Sequence, residues 1–140
     1  MTSLTHKAQE RFAHDRYATE ATGVKIDEVR EGYARCSLTL TPHHRNAMGA
    51  VMGGVMFTLA DLAFAVAANS QCLDDDAPLQ WVSLSSSIQY LGQTRGSNLF
   101  AETTCVKQGN STCVYTISIC DEHNRQIALV TFTGMKIAIS

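Results

Sequence analysis

The chain of 140 residues contains 45% hydrophobic and 17% charged residues, with a formal net charge of -2 and a pI near 6.2. This composition predicts one ordinary globular domain spanning residues 1–140, and the absence of a basic excess argues against a nucleic-acid partner. The first fifteen residues, MTSLTHKAQERFAHD, are polar and carry charges of both signs. They lack the apolar core of a secretory signal, which indicates a cytoplasmic protein.

The N-terminal third is predicted to form a helix and a hairpin. Residues from Leu4 to about Ala21 show helical periodicity, with one apolar stripe, and Gly23 is a suitable C-terminal cap. The stripe consists of Leu4, Ala8, Phe12 and Tyr17. The period then changes to two in VKIDEV and YARCSLTL, which predicts two strands joined by a turn at Glu31–Gly32. An irregular loop follows from Thr41 to Val51.

The segment MGGVMFTLADLAFAVAAN, from Met52 to Asn69, is apolar except for Asp61. The carboxylate and the lack of a longer apolar run argue against a membrane span. A helix that is hydrophobic all round is a core helix, so we expect other structure to cover it on nearly every side. Asp61 is then a buried carboxylate that must have a partner, be protonated or line a site, because burying an unpaired charge is costly.

The second half of the chain is rich in β-strand signals. QCLDDDAP is predicted to be a polar connection, with Asp74, Asp75 and Asp76 in a solvated loop. Four β-rich segments follow, at about 80–90, 97–107, 111–120 and 126–139, separated by GQTRG, QGN and DEHN. These elements predict an α+β fold in which a curved antiparallel sheet of five to six strands wraps one long helix, with an N-terminal helix outside.

Cysteines and histidines give no sign of a metal site. The five cysteines are odd in number and include no CxxC pair, so we interpret them as reduced core residues. The adjacent His43 and His44 lack a third ligand at suitable spacing and are assigned no catalytic role. The cysteines are Cys36, Cys72, Cys105, Cys113 and Cys120.

The stretch HHRNAMGAVMGGVMFTLADLAFAVAAN resembles the signature of hotdog-fold thioesterases of the phenylacetate-degradation (PaaI-like) family. That signature is an Asn, a Gly, then His-Gly-Gly and, eight residues later, Leu-Ala-Asp. The similarity extends over nearly the whole chain, since the later strands also lie where the family has strands. The resemblance implies a hotdog fold and hydrolysis of an acyl-CoA thioester to a free acid and coenzyme A. Coenzyme A is then part of the substrate, and no cofactor is expected.

The resemblance also implies roles for four residues. Asp61 would be the nucleophile or the general base, and the sequence does not separate these. The Gly53 N–H would hold the oxyanion, because the first N–H groups of a helix are free, although two glycines equally suit close packing. Asn46 would position the carbonyl or the water, or else form an Asx turn. Ser83 would place a hydroxyl beside the carboxylate, or else be a structural strand residue.

Two of the predicted substrate contacts, Met52 and Arg95, lie where the sequence departs from the family, the second in YLGQTRG, where the family often has a proline and a basic residue in slightly different places. Met52 stands where the family has His, so an imidazole that could hydrogen-bond near the thioester is replaced by an apolar thioether. Gly54 and Phe57 are the other predicted contacts near the helix start. Arg95 would meet a phosphate of coenzyme A, or else lie in a solvated turn.

The distance between two of these residues predicts a dimer. Gly53 and Asp61 lie eight residues apart, about 12 Å along a helix, which is too far for both to act on one carbonyl. Two antiparallel helices related by a two-fold axis near Phe57 would bring Gly53 of one beside Asp61 of the other. We therefore expect a homodimer as the minimal active unit and a homotetramer in solution.

Two functions are compatible with this pattern. One is an acyl-CoA thioesterase acting on phenylacetyl-CoA, another aryl-CoA or a medium-chain acyl-CoA, as the resemblance suggests. The other is a hotdog protein that binds acyl-CoA without hydrolysing it, for which Met52 is the best argument. A pure binder has no need of Asp61 beside the carbonyl, which favours the enzyme.

Overall fold

The computed structural model describes residues 2–74 and 78–137. In this part of the chain, two α-helices, two short helical segments and six strands follow one another. They are α1 (Ser3–Phe12), a π-helical turn (Tyr17–Thr22), β1 (Lys25–Arg30), β2 (Tyr33–Thr39), a 3-10 turn (Pro42–His44), α2 (Gly53–Ala68), β3 (Trp81–Tyr90), β4 (Asn98–Gln108), β5 (Thr112–Asp121) and β6 (Gln126–Lys136).

The strands form one antiparallel sheet in the order β1-β2-β4-β5-β6-β3. Strand β3, which follows α2 in the chain, lies at one edge of this sheet beside β6. Strand β1 lies at the other edge. Helix α2 contacts all six strands, so the sheet curls around it. This is the α+β arrangement predicted from the sequence, with six strands.

The core lies between α2 and the inner face of the sheet. Phe64 stacks on Phe132 with ring centroids 4.7 Å apart, and its edge meets Tyr115 at 5.7 Å. Packing is so close at Gly134 that a methyl group there would lie 2.7 Å from Cys113 Sγ and 2.8 Å from Phe64 Cζ. The alternation of buried and exposed residues along β5 and β6 follows from this one-sided burial.

Asn69 fixes the end of α2 to the beginning of β3. Its Nδ2 donates to Ala65 O at 2.9 Å and to Trp81 O at 3.0 Å. Its Oδ1 accepts from the backbone N–H groups of Gln80 and Trp81, both at 2.9 Å. The residue is 1% exposed, so this one amide replaces water for four backbone groups.

Three predictions about the elements require correction. The N-terminal helix does not run unbroken to Ala21: α1 ends at Phe12 and the chain turns before the π-helical segment, which leaves Tyr17 73% exposed instead of on the buried stripe. Gly23 ends that segment with φ 91°, as predicted. Cys105 is exposed, because it follows the core-lining part of β4, whereas Cys36, Cys72 and Cys113 are buried and Cys120 is half-buried.

The predicted loop and last strand are only partly described. Asp74 is exposed and forms an ion pair with Lys7 at 2.7 Å. Asp75 and Asp76 lie outside the described residues, as does the end of the segment predicted to run to residue 139. Strand β6 ends at Lys136.

We expect Asn69→Ala to lower the free energy of unfolding by about 3 kcal/mol, because buried backbone groups of β3 lose their partners. Asn110→Ala is the matched control, since Asn110 is exposed in a turn, and its effect should stay within about 0.5 kcal/mol. Urea denaturation followed by circular dichroism measures both. Equal losses for the two variants would contradict the role of Asn69.

Candidate active site

The N-terminus of α2 presents free backbone donors. Met52 is the N-cap, and its carbonyl accepts from Val55 N at 3.1 Å and Met56 N at 3.3 Å. Among the described residues, neither Gly53 N nor Gly54 N has an acceptor. Two unpaired N–H groups at the positive end of a helix dipole form a site for an anion or for a developing oxyanion.

Asp61 lies on the side of α2 that the sheet leaves uncovered. A stripe of four residues runs along this side, in which Gly54 and Asp61 are exposed and Thr58 and Ala65 are half-buried. The expectation that α2 is covered on nearly every side, and Asp61 buried, is therefore wrong for one protomer. One sheet can cover only one side of a helix, and the apolar composition of α2 does not reveal which side stays open.

The surroundings of Asp61 nevertheless favour its protonated form. Partial loss of water raises the pKa of this carboxyl, and the negative charge of Asp15, in the turn after α1, raises it further. Within residues 2–74 and 78–137, no hydrogen bond or ion pair compensates the charge on Asp61. A carboxylate with increased proton affinity and no partner is suited to accept a proton from water or to attack a carbonyl carbon.

Asn46 stabilises the loop before α2. Its Oδ1 accepts from Met48 N at 2.9 Å and Ala50 N at 3.1 Å, which is the Asx-type arrangement considered as the alternative to a catalytic role. The amide nitrogen Nδ2 has no partner in the described part of the chain. Any contact of Asn46 with a substrate would therefore use Nδ2.

His44 is structural. Its ring is buried, Nδ1 accepts from Thr41 N at 3.0 Å, and Nε2 lies 2.7 Å from Thr22 O. This pattern corresponds to a neutral ring that donates from Nε2. Both nitrogens are occupied, which agrees with the prediction that this histidine takes no part in catalysis.

Ser83 does not meet Asp61 within one protomer. It pairs with Gly134 on β6, where a methyl group would lie 2.8 Å from Phe64 Cζ, so Ser83 is on the face of the sheet that meets α2, although the residue itself is exposed. Its hydroxyl makes no hydrogen bond to Asp61. Because α2 is continuous from Gly53 to Ala68, Gly53 and Asp61 also remain about 12 Å apart along the helix. One protomer thus separates the predicted catalytic groups.

The predicted substrate contacts lie in two places. Met52 is 45% exposed at the start of α2. Phe57 is half-buried and packs on Phe132 with centroids 5.6 Å apart, so part of its ring belongs to the core. Arg95 is exposed and lines a shallow cavity of about 340 Å³, whose other lining residues are Gln93, Gly96, Asp121, His123 and Arg125.

Residues 2–74 and 78–137, which the structure describes, show no sign of a metal site or of a membrane-spanning helix. They contain no group of three or more His, Cys, Asp or Glu side chains arranged to hold a metal ion. None of their helices has the length and apolar content needed to cross a membrane.

Known proteins are similar to this chain in sequence and in fold. The model of the family described as "Thioesterase superfamily" matches residues 48–128, which include the start of α2, Asp61 and Ser83. The chain belongs to the thioesterase superfamily. It is a PaaI-like thioester hydrolase with the hotdog fold, as the resemblance predicted.

Two relatives and two solved structures support this assignment. The chain is 33% identical to the acyl-coenzyme A thioesterase PaaI of Escherichia coli K12 over 131 residues, covering 90% of this chain and 89% of the relative. It is 34% identical to a putative esterase of Archaeoglobus fulgidus over 119 residues, covering 84% and 73%. The structure of E. coli PaaI, from the phenylacetic acid degradation operon, superposes with a TM-score of 0.81 at 32% identity, covering 97% of both chains. A hypothetical thioesterase from Streptococcus pneumoniae TIGR4, solved with coenzyme A, gives 0.78 at 26% identity, covering 91% and 97%.

Sequence reasoning missed two residues beside the predicted site of this thioesterase. Asp15 lies close enough to raise the pKa of Asp61, and no sequence signal links the two. Tyr90 lies against Gly53. Strand periodicity places Tyr90 on the same face as the core-packed Ile88, but periodicity does not reveal which part of α2 that face meets.

We expect Asp61→Asn to raise the melting temperature of this thioesterase at pH 7. A carboxyl whose pKa is raised in the folded state binds its proton more tightly there, so folding is penalised once pH rises through the ordinary aspartate range near about 4. The gain from the amide should therefore shrink as pH falls into that range.

Asp74→Asn is the control of opposite sign, because Lys7 lowers the pKa of Asp74. It should give no gain at pH 7. Differential scanning fluorimetry from pH 4 to 8 measures both variants. A melting temperature of Asp61→Asn at or below wild type across this range would show that the Asp61 charge carries no penalty.

Proposed function

We propose that this thioesterase hydrolyses acyl-CoA thioesters, with Asp61 as the catalytic carboxylate and the Gly53 N–H as the oxyanion donor. The observation that carries the proposal is the pairing of features on α2: free N–H groups at its start and an uncompensated carboxylate on its uncovered stripe. The likeness to E. coli PaaI, named an acyl-coenzyme A thioesterase, and to an S. pneumoniae thioesterase solved with coenzyme A supports the substrate class.

The chemistry needs these two groups and a leaving thiol. As general base, Asp61 takes a proton from water while the water oxygen bonds to the thioester carbon. The carbonyl oxygen becomes an oxyanion held by the Gly53 N–H. When the tetrahedral intermediate collapses, the C–S bond breaks and coenzyme A leaves as a thiolate, since thiols have pKa values near about 8.5. As nucleophile, Asp61 would instead form an anhydride that water opens, and the same carboxylate serves both routes.

We place each active site across a homodimer. The Gly53 and Asp61 of one chain are too far apart, and both border a surface that one protomer leaves open. Edge strand β3 exposes the apolar Val82 and Leu84, and an exposed apolar edge is normally covered. A two-fold axis beside β3 would join two sheets, cover the stripe on α2 and set Gly53 of one chain near Asp61 of the partner.

The choice of substrate follows from the groups around the proposed dimer interface. Met52, Gly54 and Phe57 border the start of α2 and favour an apolar acyl group, such as phenylacetyl, another aryl or a medium-length chain. Arg95, beside Arg125 in the shallow cavity, suits a phosphate of coenzyme A. We further propose a cytoplasmic homotetramer acting in phenylacetic acid degradation, with no cofactor besides the coenzyme A of the substrate.

We expect Asp61→Asn to lower kcat/KM by about 100-fold or more, because the amide keeps the shape but cannot accept the proton. Thiol release from a panel of phenylacetyl-, benzoyl- and medium-chain acyl-CoAs measures the loss. Asp74→Asn, in the exposed loop beyond the C-terminal end of α2, should retain full activity. If wild type binds coenzyme A yet cleaves none of these esters, the protein is the alternative, a binder that does not hydrolyse acyl-CoA.

A complementation experiment tests the shared site. Gly53→Ala and Asp61→Asn should each be nearly inactive alone, the first because its methyl group would meet Tyr90 Oη at 2.6 Å. A mixed dimer contains one site with Gly53 from one chain and Asp61 from the other. Random reassociation of equal amounts should therefore restore about a quarter of wild-type activity. No restoration in dimers shown by native mass spectrometry to be mixed would mean that each site belongs to one chain.

A further inference from the structure

Tyr90 is held rigidly at the end of β3, on the face that looks toward α2. It pairs with the buried Ala128 on β6, and cross-strand partners share a face. The backbone beyond it is fixed as well, because Leu91 N and Gly92 N both donate to Ile127 O, at 2.9 and 3.2 Å. The sheet therefore fixes the backbone of Tyr90 and the direction of its Cα–Cβ bond.

The phenol of Tyr90 reaches the start of α2. A methyl group built on Gly53 would lie 2.6 Å from Tyr90 Oη and 2.8 Å from Cζ. This contact leaves the phenol oxygen within about 5 Å of the Gly53 nitrogen. Tyr90 is 52% exposed, and within the described residues its hydroxyl has no hydrogen-bond partner. An unpaired, half-exposed hydroxyl thus stands near the free N–H of the half-buried Gly53.

We propose that the Tyr90 hydroxyl is a second oxyanion donor in the thioesterase reaction. This inference rests on the proposed function, in which the Gly53 N–H binds the carbonyl oxygen of the thioester. An oxygen bound there comes within reach of the phenol, which donates a hydrogen bond and transfers no proton. The bond strengthens as charge develops on that oxygen, so it stabilises the transition state more than the bound substrate.

The residue before Gly53 explains why a second donor matters in this chain. The Met52 side chain has no hydrogen to donate, whereas the family signature that this stretch resembles has a histidine, and so an imidazole, at this position. Tyr90 supplies a neutral donor from the neighbouring strand instead of from the loop.

Tyr90→Phe tests this role, since it removes the hydroxyl and keeps the ring. We expect kcat for the best acyl-CoA to fall about 10- to 100-fold while KM changes less than about threefold, the pattern of an interaction made in the transition state. Tyr33→Phe is the matched control. Tyr33 on β2 donates from Oη to Glu102 on β4, and both strands lie away from β3 in the sheet. Loss of the Tyr33 hydroxyl should leave kcat unchanged.

A second substitution separates catalysis from structure. Met52→His places a donor beside Gly53, so it should raise kcat by a severalfold larger factor in the Tyr90→Phe background than in wild type. If Tyr90 had only a structural role, Met52→His would change kcat by the same factor with and without the Tyr90 hydroxyl. An equal effect of Met52→His in both backgrounds would overturn the proposal.

Two other outcomes are distinguishable. An unchanged kcat in Tyr90→Phe, in an enzyme that Asp61→Asn inactivates, would overturn the Tyr90 role and leave the proposed function intact. If the wild-type protein hydrolyses none of the acyl-CoAs tested, the proposed function is wrong, and the Tyr90 inference fails with it. Melting temperatures of all variants within a few degrees of wild type ensure that the rates compare folded proteins.

Discussion

The packing of α2 against one sheet determines where the rest of the molecule places its chemistry. Six strands contact the helix, but a single sheet covers only one side of it. Phe64 and its aromatic neighbours anchor the covered side, and Asn69 fixes the far end of the helix to β3. The uncovered side, from Gly54 to Ala65, is therefore rigid although it faces solvent. A preorganised surface of this kind is what a carboxylate and an oxyanion donor require.

The sequence predicts the elements of this fold well where the signals are local. Helix α2 begins and ends within one residue of its predicted bounds, since Gly53 and Asn69 mark its two ends. Strands β2, β5 and β6 are equally clear because their alternation reports one buried face. The break after Phe12 was not predictable, because the stripe through Tyr17 has helical spacing and only tertiary packing shows that the chain turns. The exposure of Asp61 was missed for a related reason: α2 is apolar on both sides.

The residues of the candidate site also differ in whether the sequence alone identifies them. Motif residues at the start of α2 could be identified from the sequence because glycines, a helix start and a carboxylate have recognisable spacing. Tyr90 is 37 positions away in sequence from Gly53, and their contact exists because β3 runs back along α2 from Asn69 toward Gly53. Contacts of this kind depend on how elements pack, and one sequence does not encode them in a local pattern. The separation of Ser83 from Asp61 in one protomer has the same origin.

The energetics of Asp61 connect this architecture to function. A carboxyl that loses water and lies near Asp15, without a compensating partner in its own protomer, makes the charged folded state less favourable. Such a residue contributes nothing to the core and would be replaced at little cost by an apolar or amide side chain if packing were its purpose. Joining two protomers would cover the stripe further, raise this cost and bring the charge toward the free donors of the partner helix. In the proposed dimer, the unfavourable charge and the open donors are two halves of one site. Each is poor for the stability of an isolated chain, and each suits the proposed transfer of an acyl group to water.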